Sequence, residues 1–288
     1  MFESLLTLLF VSNSSLENIL PAQNLANPVE KIMVHPTPIK KNNLPIPIIP
    51  KAFFSFDLKS GAEIAALNKD KKMPIASLTK LATALAALKI YDEDEILVVP
   101  KRASQAIGSK VFFQAGSRVS VRDLLRALLI SSGNDAAITL AGSTEADEKI
   151  FIKKMNEVAK NLKLKNTNFV NTTGLDQADH FSTAHDLALL TTHFLQQPLL
   201  KEIVKKKYVE IYTLQGKMHK IVTRNQLLRD WEDIYGVKTG TTPQAGASFI
   251  ALVKNKQGQE VVTIVLNSPA RFLDTKVVIK WIFKNFKW

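Results

Sequence analysis

The segment Ala76-Ser77-Leu78-Thr79-Lys80-Leu81 opens an apolar run with helical spacing that extends to Leu88. This pattern predicts a helix that begins close to Ser77. Ser77 and Lys80 are three positions apart, so on a helix their side chains project from the same face and can touch. A Ser-x-x-Lys motif alone carries little information, because both residues are common and a solvated helix start explains it equally well.

Two further stretches give this motif a context. Ser132-Gly133-Asn134 follows about 55 residues after Ser77, and Lys238-Thr239-Gly240 follows about 105 residues after that. Class A β-lactamases and penicillin-binding proteins share a triple set of this kind. The order and wide spacing of the three stretches argue against coincidence.

The composition is that of a globular protein with a basic surface. The chain has 288 residues, of which 46% are hydrophobic and 22% charged, enough to bury one large core or two modest ones. Its net charge of +12 suits anionic surroundings such as nucleic acid, phospholipid or wall polymers, or serves solubility alone. No zinc-finger spacing, RNP-like aromatic pattern or basic recognition helix accompanies the charge, so we expect no nucleic-acid partner.

Cysteine is absent from the sequence. This excludes a disulfide, a thiolate nucleophile and a Cys-ligated zinc site. It also suits an oxidising compartment.

Residues 1–26 are a possible signal peptide or leader. The run Leu5–Val11 is apolar but far shorter than the roughly 20 residues that span a bilayer. Glu3 stands where a signal peptide has basic residues, and Ala22 and Ala26 are weak candidates for a cleavage site. An amphipathic helix is the alternative interpretation of this segment.

Residues 27–50 are predicted to form a proline-rich linker. Residues 21–50 hold seven of the twelve prolines, and proline removes amide donors and fixes φ. Folded structure should therefore begin near Lys51, and residues 51–288 are assigned to a single catalytic domain.

Strand patterns at both ends of this domain flank a helical middle, and the sequence shows no internal repeat. The predicted strands are Phe53–Leu58, Glu63–Asn68, Tyr208–Leu214, Ser248–Val253 and Glu260–Leu266. The predicted helices after the Ser77 helix are Val121–Ser131, Asp135–Ala141, Glu148–Leu162, Ala184–Leu195 and Asp274–Phe286, with Ser120 and either Ser182 or Thr183 as N-caps. The pattern predicts an α+β sheet domain with an inserted helical lobe at about 88–197.

The closing helix is amphipathic. Its apolar face carries Val277, Val278, Trp281 and Ile282, and its other face carries Lys276, Lys280, Lys284 and Lys287. It could lie on a membrane, but we favour packing on the sheet because a domain of this plan needs a cover for its sheet.

A serine hydroxyl is a poor nucleophile until a neighbour takes its proton. The five histidines have no local serine-elbow context, and no third zinc ligand accompanies His180 and His185; all are interpreted as structural: His35, His180, His185, His193 and His219. We therefore expect neither a metal nor a cofactor. Lys80 is the better base if it is neutral, and burial together with a nearby cation such as Lys238 would lower its pKa.

Ser77 should lie in the first turn of its helix, where free backbone amides favour developing negative charge. Its own amide can then form half of an oxyanion hole, and the other half would come from the stretch 236–242. If this stretch is an edge strand, Gly240 allows a substrate backbone to approach closely. Alternation leaves open whether Lys238, Gly240 and Thr242 or Thr239 and Thr241 face the cleft.

The chain resembles the low-molecular-weight penicillin-binding proteins, which are serine D-alanyl-D-alanine carboxypeptidases of bacterial cell-wall metabolism. The resemblance covers roughly residues 50–288. It rests on the blocks Pro74–Lys80, Ser131–Ala137, Asn171–Asp176, Ser182–Ala184 and Gly236–Thr242. It implies a β-lactamase/transpeptidase-like fold, an antiparallel sheet flanked by helices with an inserted all-helical lobe. The block Asn171–Asp176 and the Ser-Gly-Asn form of the middle motif differ from class A β-lactamases.

The resemblance also implies roles for the residues in these motifs. Ser77 would be the acylated nucleophile, Lys80 its base, and Ser132 the group that passes a proton to the departing D-alanine nitrogen. The amides of Ser77 and Thr241 would form the oxyanion hole. The implied substrate-binding residues are Asn134, Lys238, Thr239, Gly240, Thr241 and Arg271.

The implied partners are the stem peptide of peptidoglycan and, as covalent inhibitors, β-lactam antibiotics. The implied location is extracytoplasmic, in the periplasm or at the outer face of the bacterial membrane. Peripheral membrane contact would come from the leader, from the basic closing helix, or not at all. Many relatives carry a further β-rich domain and an amphipathic anchor, whereas this sequence ends at Trp288.

Other functions compete with this one. A DD-endopeptidase that cuts cross-links would use the same residues. A β-lactamase would need a glutamate block that positions a water, and no convincing one follows Asn134. A catalytically silent wall-binding module is the remaining alternative, and the presence of all the reactive groups argues against it.

Overall fold

The structure is a computed structural model that describes residues 35–42, 44–46, 48 and 50–288. All of them belong to one compact unit, His35–Trp288. The predicted leader and the first part of the predicted linker lie outside the described residues.

The described part of the predicted linker is attached to the folded unit. Ile39–Lys40 pairs in antiparallel fashion with Phe286–Lys287 near the end of the chain. Ile46 and Ile48 pack against the apolar cluster that contains Val278 of the closing helix. Proline favours extended backbone, and here that extended segment adds a short strand and two apolar contacts before Lys51.

Eleven strands occur in the part of the chain that the structure describes. They are β1 (Ile39–Lys40), β2 (Ala52–Asp57), β3 (Glu63–Leu67), β4 (Ile96–Val98), β5 (Arg118–Ser120), β6 (Tyr208–Tyr212), β7 (Met218–Val222), β8 (Ile234–Thr242), β9 (Gly246–Lys254), β10 (Glu260–Leu266) and β11 (Phe286–Lys287). The main sheet has the order β3-β2-β10-β9-β8, and all of its pairs are antiparallel. The stretch 236–242, for which the sequence leaves an edge strand open, lies in β8 at the edge of this sheet.

The helices fill the middle of the chain and its end. They are α1 (Lys80–Ile90), α2 (Lys101–Ser104), α3 (Val121–Ile130), α4 (Asn134–Leu140), α5 (Glu145–Asn161), α6 (Ala184–Leu195), α7 (Pro198–Ile203), α8 (Gln226–Asp230) and α9 (Arg271–Asn285). The side chains of Ser120 and Thr183 accept hydrogen bonds from backbone amides in the first turns of α3 and α6. Both are predicted N-caps. The α+β fold with a helical insertion is confirmed.

The sheet is covered on both faces, which explains its nearly continuous apolar strands. Helix α6 contacts β2 and β10, and α9 contacts β9 and β10. Val278, Ile279 and Ile282 of α9 are fully buried, while Lys280 and Lys284 are exposed. The closing helix therefore packs on the sheet, as we favoured.

The strand predicted at Tyr208–Leu214 is present but belongs to a separate hairpin. Its β6 pairs with β7, and neither strand joins the main sheet. The second strand, β7, is absent from the predicted strands; in it His219 and Ile221 are buried while their neighbours are exposed. This hairpin leads into Arg224, which lines the cavity described below.

No helix within the described ranges is both long enough and apolar enough to cross a membrane.

Candidate active site

Ser77 lies in a tight 3-10 turn, Ala76–Thr79, that leads directly into α1. Ala76 has a φ of 49°, in the left-handed region. Two glycines from separate segments pack against this turn. A Cβ atom at Gly174 would lie 1.9 Å from the Ala76 carbonyl oxygen, and one at Gly240 would lie 3.0 Å from the Ser77 nitrogen. The missing side chains let two separate segments close on Ser77.

Lys80 is the first residue of α1, and its side chain is completely buried. Its Nζ lies 3.0 Å from Ser77 Oγ, 2.7 Å from Asn134 Oδ1 and 2.6 Å from the carbonyl oxygen of Thr173. A neutral amine has two N–H bonds, and these two fixed oxygens accept both. In this neutral form the lone pair is left for the hydroxyl of Ser77, which also lies 3.4 Å from the Thr173 carbonyl oxygen.

Burial lowers the pKa of Lys80 to about 7, while the negative charge of Asp135 acts in the opposite direction. We had also expected Lys238 to contribute to this shift. Burial is instead the main cause, and the charge effect that accompanies it comes from Asp135. Lys80 is thus neutral in a large fraction of molecules at neutral pH.

Ser132 faces the second buried lysine. Lys238 Nζ lies 2.9 Å from Ser132 Oγ and 2.9 Å from the carbonyl oxygen of Thr239. The pKa of Lys238 is well below its ordinary value because of burial first, and then because of the positive charges of Lys80, Arg271 and Arg224. The Ser132 hydroxyl therefore contacts the amine of Lys238, just as the Ser77 hydroxyl contacts the amine of Lys80.

Both sets of β8 side chains that we considered contribute to the site. Lys238 reaches Ser132 from within the protein, while Thr239, Gly240 and Thr241 line a cavity. Arg271, the first residue of α9, donates through Nη1 to the Gly240 carbonyl oxygen at 2.8 Å and to Thr241 Oγ1 at 2.6 Å. The strand twist and the length of the lysine side chain remove the apparent choice between the two faces.

The cavity has a volume of about 220 Å³. Its lining is mainly polar: Ser77, Ser109, Ser132, Arg224, Thr239, Gly240, Thr241 and Arg271. Two arginines line it, and the buried Lys238 contacts the hydroxyl of Ser132 in its wall. The electrostatic character of the cavity therefore favours an anionic group.

Asn134 and Asp135 hold the loop on the opposite side of the cleft. Asn134 Nδ2 donates to the Ile107 carbonyl oxygen at 2.7 Å, so its Oδ1 faces Lys80. The buried carboxylate of Asp135 accepts from the backbone amides of Val111 and Phe112 at 2.9 and 2.8 Å. The Ser-Gly-Asn motif thus positions Lys80 and fixes the cleft wall together with the residue that follows it.

All the predicted site residues lie around this one cleft, together with four contributors to which the sequence assigned no role. The Thr173 carbonyl oxygen accepts from Lys80, and Asn171 Oδ1 shapes its turn by accepting from the Gly174 amide at 2.7 Å. Asp135 and Arg224 are the other two. The block Asn171–Asp176 was noticed in the sequence as part of the resemblance, but no role was assigned to any of its residues.

Residues 40–270 match the peptidase S11 family, described as D-alanyl-D-alanine carboxypeptidase. The chain belongs to this family. The match spans the main sheet from β2 to β10 and every motif of the cleft, and it ends at the residue before Arg271.

Members of this family and proteins of the same fold carry names for more than one reaction. D-alanyl-D-alanine carboxypeptidase DacA of Haemophilus influenzae is 32% identical over 255 residues, which cover 84% of this chain and 64% of that protein. The D-alanyl-D-alanine endopeptidase of Escherichia coli is 31% identical over 233 residues, covering 78% of this chain and 74% of that protein. This chain therefore spans less than two thirds of the length of the first relative.

Among solved structures, the Streptomyces K15 DD-transpeptidase aligns with a TM-score of 0.78 and 28% identity. The alignment covers 85% of this chain and 100% of that one. This neighbour confirms the transpeptidase-like fold.

Proposed function

We propose that the protein is a serine D-alanyl-D-alanine carboxypeptidase that removes the terminal D-alanine from peptidoglycan stem peptides. The observation that carries this proposal is the contact of Ser77 Oγ with the buried Nζ of Lys80 at 3.0 Å. The low pKa of Lys80 and its two fixed acceptors give a neutral amine aimed at a hydroxyl, which is what proton removal requires.

In the first step, the Lys80 lone pair takes the Ser77 proton as Oγ attacks the carbonyl carbon of the D-alanyl-D-alanine bond. The oxyanion that forms is stabilised by the backbone amides of Ser77 and Thr241. Gly240 has no side chain beside the Ser77 nitrogen, so this position stays open for the carbonyl oxygen.

In the second step, the tetrahedral intermediate collapses and the C–N bond breaks. Ser132 passes a proton to the leaving D-alanine nitrogen and receives in its place the proton that Lys80 took from Ser77, while Lys238, whose Nζ contacts its hydroxyl, holds Ser132 in position. The carboxylate of that D-alanine binds in the polar cavity, where Lys238, Arg271 and the hydroxyls of Thr239 and Thr241 attract it. Water then attacks the Ser77 ester while Lys80, neutral again, takes one of its protons, and that proton returns to Ser77 Oγ as the ester C–O bond breaks.

The direct test measures D-alanine release from a diacetyl-lysyl-D-alanyl-D-alanine peptide by the full chain. Wild-type protein should release D-alanine, and Ser77→Ala should release none while it unfolds at the same urea concentration. A fluorescent penicillin should label the wild type covalently and leave Ser77→Ala unlabelled. Release that persists in Ser77→Ala would assign the nucleophile elsewhere.

A DD-endopeptidase is the second candidate, and the E. coli relative named for that activity supports it. Both reactions use the same acyl-enzyme and differ in the group that leaves. Cross-linked muropeptide dimers distinguish them: an endopeptidase converts dimers to monomers, whereas a carboxypeptidase shortens free pentapeptides and leaves dimers intact. We expect the second result.

The proposed substrate lies outside the cytoplasm, so we propose that the protein acts there, at the bacterial cell wall. The same substrate makes β-lactam antibiotics covalent inhibitors, because their strained amide reacts with Ser77 and yields an ester that hydrolyses slowly. No cofactor enters any of these steps.

A further inference from the structure

A buried chain of hydrogen bonds connects a histidine to the turn that carries Ser77. His180 is 5% exposed, and its Nε2 lies 2.7 Å from Thr79 Oγ1. Thr79 Oγ1 lies 2.8 Å from the carbonyl oxygen of Ala76 and donates to it. On the other side of the ring, Nδ1 accepts from the backbone amide of Val170 at 3.1 Å.

These contacts determine the tautomer of His180. Because Nδ1 accepts a hydrogen bond, the proton of the neutral ring is on Nε2, which donates to Thr79 Oγ1. The Thr79 hydroxyl has one hydrogen, and the Ala76 oxygen accepts it. Each donor in this series of hydrogen bonds therefore has an acceptor. His180 donates to Thr79, and Thr79 donates to Ala76.

This series of hydrogen bonds ends at the peptide bond between Ala76 and Ser77. The carbonyl oxygen of Ala76 and the N–H of Ser77 belong to the same planar group, and in a trans peptide they point in opposite directions. Fixing the oxygen therefore fixes the direction of the Ser77 N–H. Ala76 adopts a left-handed conformation, which costs free energy for a residue with a Cβ atom and needs such an anchor.

We infer that His180 is a positioning residue for the oxyanion hole: through Thr79 it orients the Ala76–Ser77 peptide so that the Ser77 amide points into the cleft. This role rests on the proposed function, in which that amide stabilises the oxyanion. His180 touches neither the substrate nor Ser77, so it acts only through Thr79.

The charge state of His180 agrees with this role. Burial lowers the pKa of His180 to about 4, with Lys80 also lowering it and Asp176 raising it. The ring therefore stays neutral throughout the pH range in which Lys80 works as a base. A second ring proton would face the Val170 amide, a donor, so only the neutral form fits the site.

Two substitutions at His180 separate its two hydrogen bonds. In His180→Gln, the amide nitrogen is as many bonds from Cβ as Nε2 and can still donate to Thr79. In His180→Asn, the oxygen corresponds to Nδ1 and can accept from Val170, but nothing reaches Thr79. Each variant loses one buried bond, so both should lose similar stability. His193→Asn, on α6 and away from the cleft, serves as a control.

The readout is the acylation rate constant with a fluorescent penicillin, measured beside the free energy of unfolding in urea. We expect His180→Gln to keep a rate within about threefold of wild type and His180→Asn to lose at least tenfold, since loss of one oxyanion-hole donor costs about 10²–10³. With the peptide substrate, the loss should fall on kcat and leave KM nearly unchanged, because the oxyanion forms only in the transition state. Equal rates in the two variants would overturn the inference.

A second pair decides the matter if either His180 variant does not fold. Thr79→Ser keeps the hydroxyl, and Thr79→Val keeps the shape without it, so only the valine should lose at least about tenfold in acylation. A Thr79→Val protein that acylates at the wild-type rate would also overturn the inference. A wild-type protein that penicillin does not label would instead refute the proposed function itself.

Discussion

Two buried lysines occupy the two sides of the cleft, and their surroundings differ. Lys80 lies among fixed acceptors, the oxygens of Asn134 and Thr173, with the negative charge of Asp135 nearby. Lys238 also has two oxygen neighbours, but the charges that act on it are the cations Lys80, Arg271 and Arg224.

From this difference we propose a division of labour between the two amines. Burial lowers the pKa of both, but only the surroundings of Lys80 include an anion that opposes the shift. Lys80 therefore keeps a pKa near neutrality, where a base can both accept and release a proton. Lys238 lies in a positive region that an incoming carboxylate would neutralise.

The largest effect is expected when each lysine is replaced by methionine. Lys80→Met should lower the acylation rate by about 10³-fold, within the range for loss of a general base. Lys238→Met should lower it by about 10²-fold, because it removes carboxylate binding and the contact that holds Ser132 in position. Both rates are measured with benzylpenicillin by stopped-flow quenching or gel labelling.

A matched substrate sharpens this test. The methyl ester of the same penicillin has no carboxylate, so its wild-type rate should already be low and Lys238→Met should lower it only slightly further. Lys80→Met should lower the rates with the acid and the ester by similar factors. Equal sensitivity of the two substrates to Lys238→Met would contradict the division of labour.

The second test follows the acid limb of the pH-rate profile. Activity should fall about tenfold per pH unit below pH 7, because protonation removes the Lys80 lone pair. Asp135→Asn should move this limb to lower pH, since the Asp135 charge raises the pKa of Lys80. Lys238→Met should leave the limb in place. A limb that moved to higher pH in Lys238→Met would mean that Lys238, rather than burial, depresses the pKa of Lys80.

Much of the site could be predicted from the sequence because its reactive side chains lie in short motifs. The spacing of Ser77 and Lys80 placed them on one face, whereas the edge strand that carries Lys238 stayed an open alternative until the structure showed β8. Backbone groups such as the Thr173 carbonyl have no sequence signature, so this acceptor became visible only in the structure. The role of Asp135 was missed for a related reason, since its partners are the backbone amides of a distant loop.

The hairpin of β6 and β7 shows which part of the fold could not be predicted from the sequence, namely the pairing of strands. Tyr208–Leu214 has a clear strand pattern, but local pattern cannot say which strand it pairs with. The same holds for the predicted linker. Its proline content predicts extended backbone, but it does not predict that residues 39–40 pair with residues 286–287.

The smallest expected effect, and the one that tests the neutral amine directly, concerns stability. In the folded protein the pKa of Lys80 is about 7, and in the unfolded chain it returns to its ordinary value near 10.4. Between these values the unfolded state binds more protons, so the free energy of unfolding rises with pH, by up to about 1.4 kcal/mol per pH unit from this group. Lys80→Met should remove that part of the slope in urea unfolding between pH 7 and 9, whereas Lys280→Met, at an exposed position on α9, should not.

Lys80→Met should also be more stable than the wild type at pH 7, because an apolar side chain avoids the cost of burying an amine. An unchanged slope would mean that Lys80 stays protonated in the folded state, and a protonated Lys80 could not take the Ser77 proton.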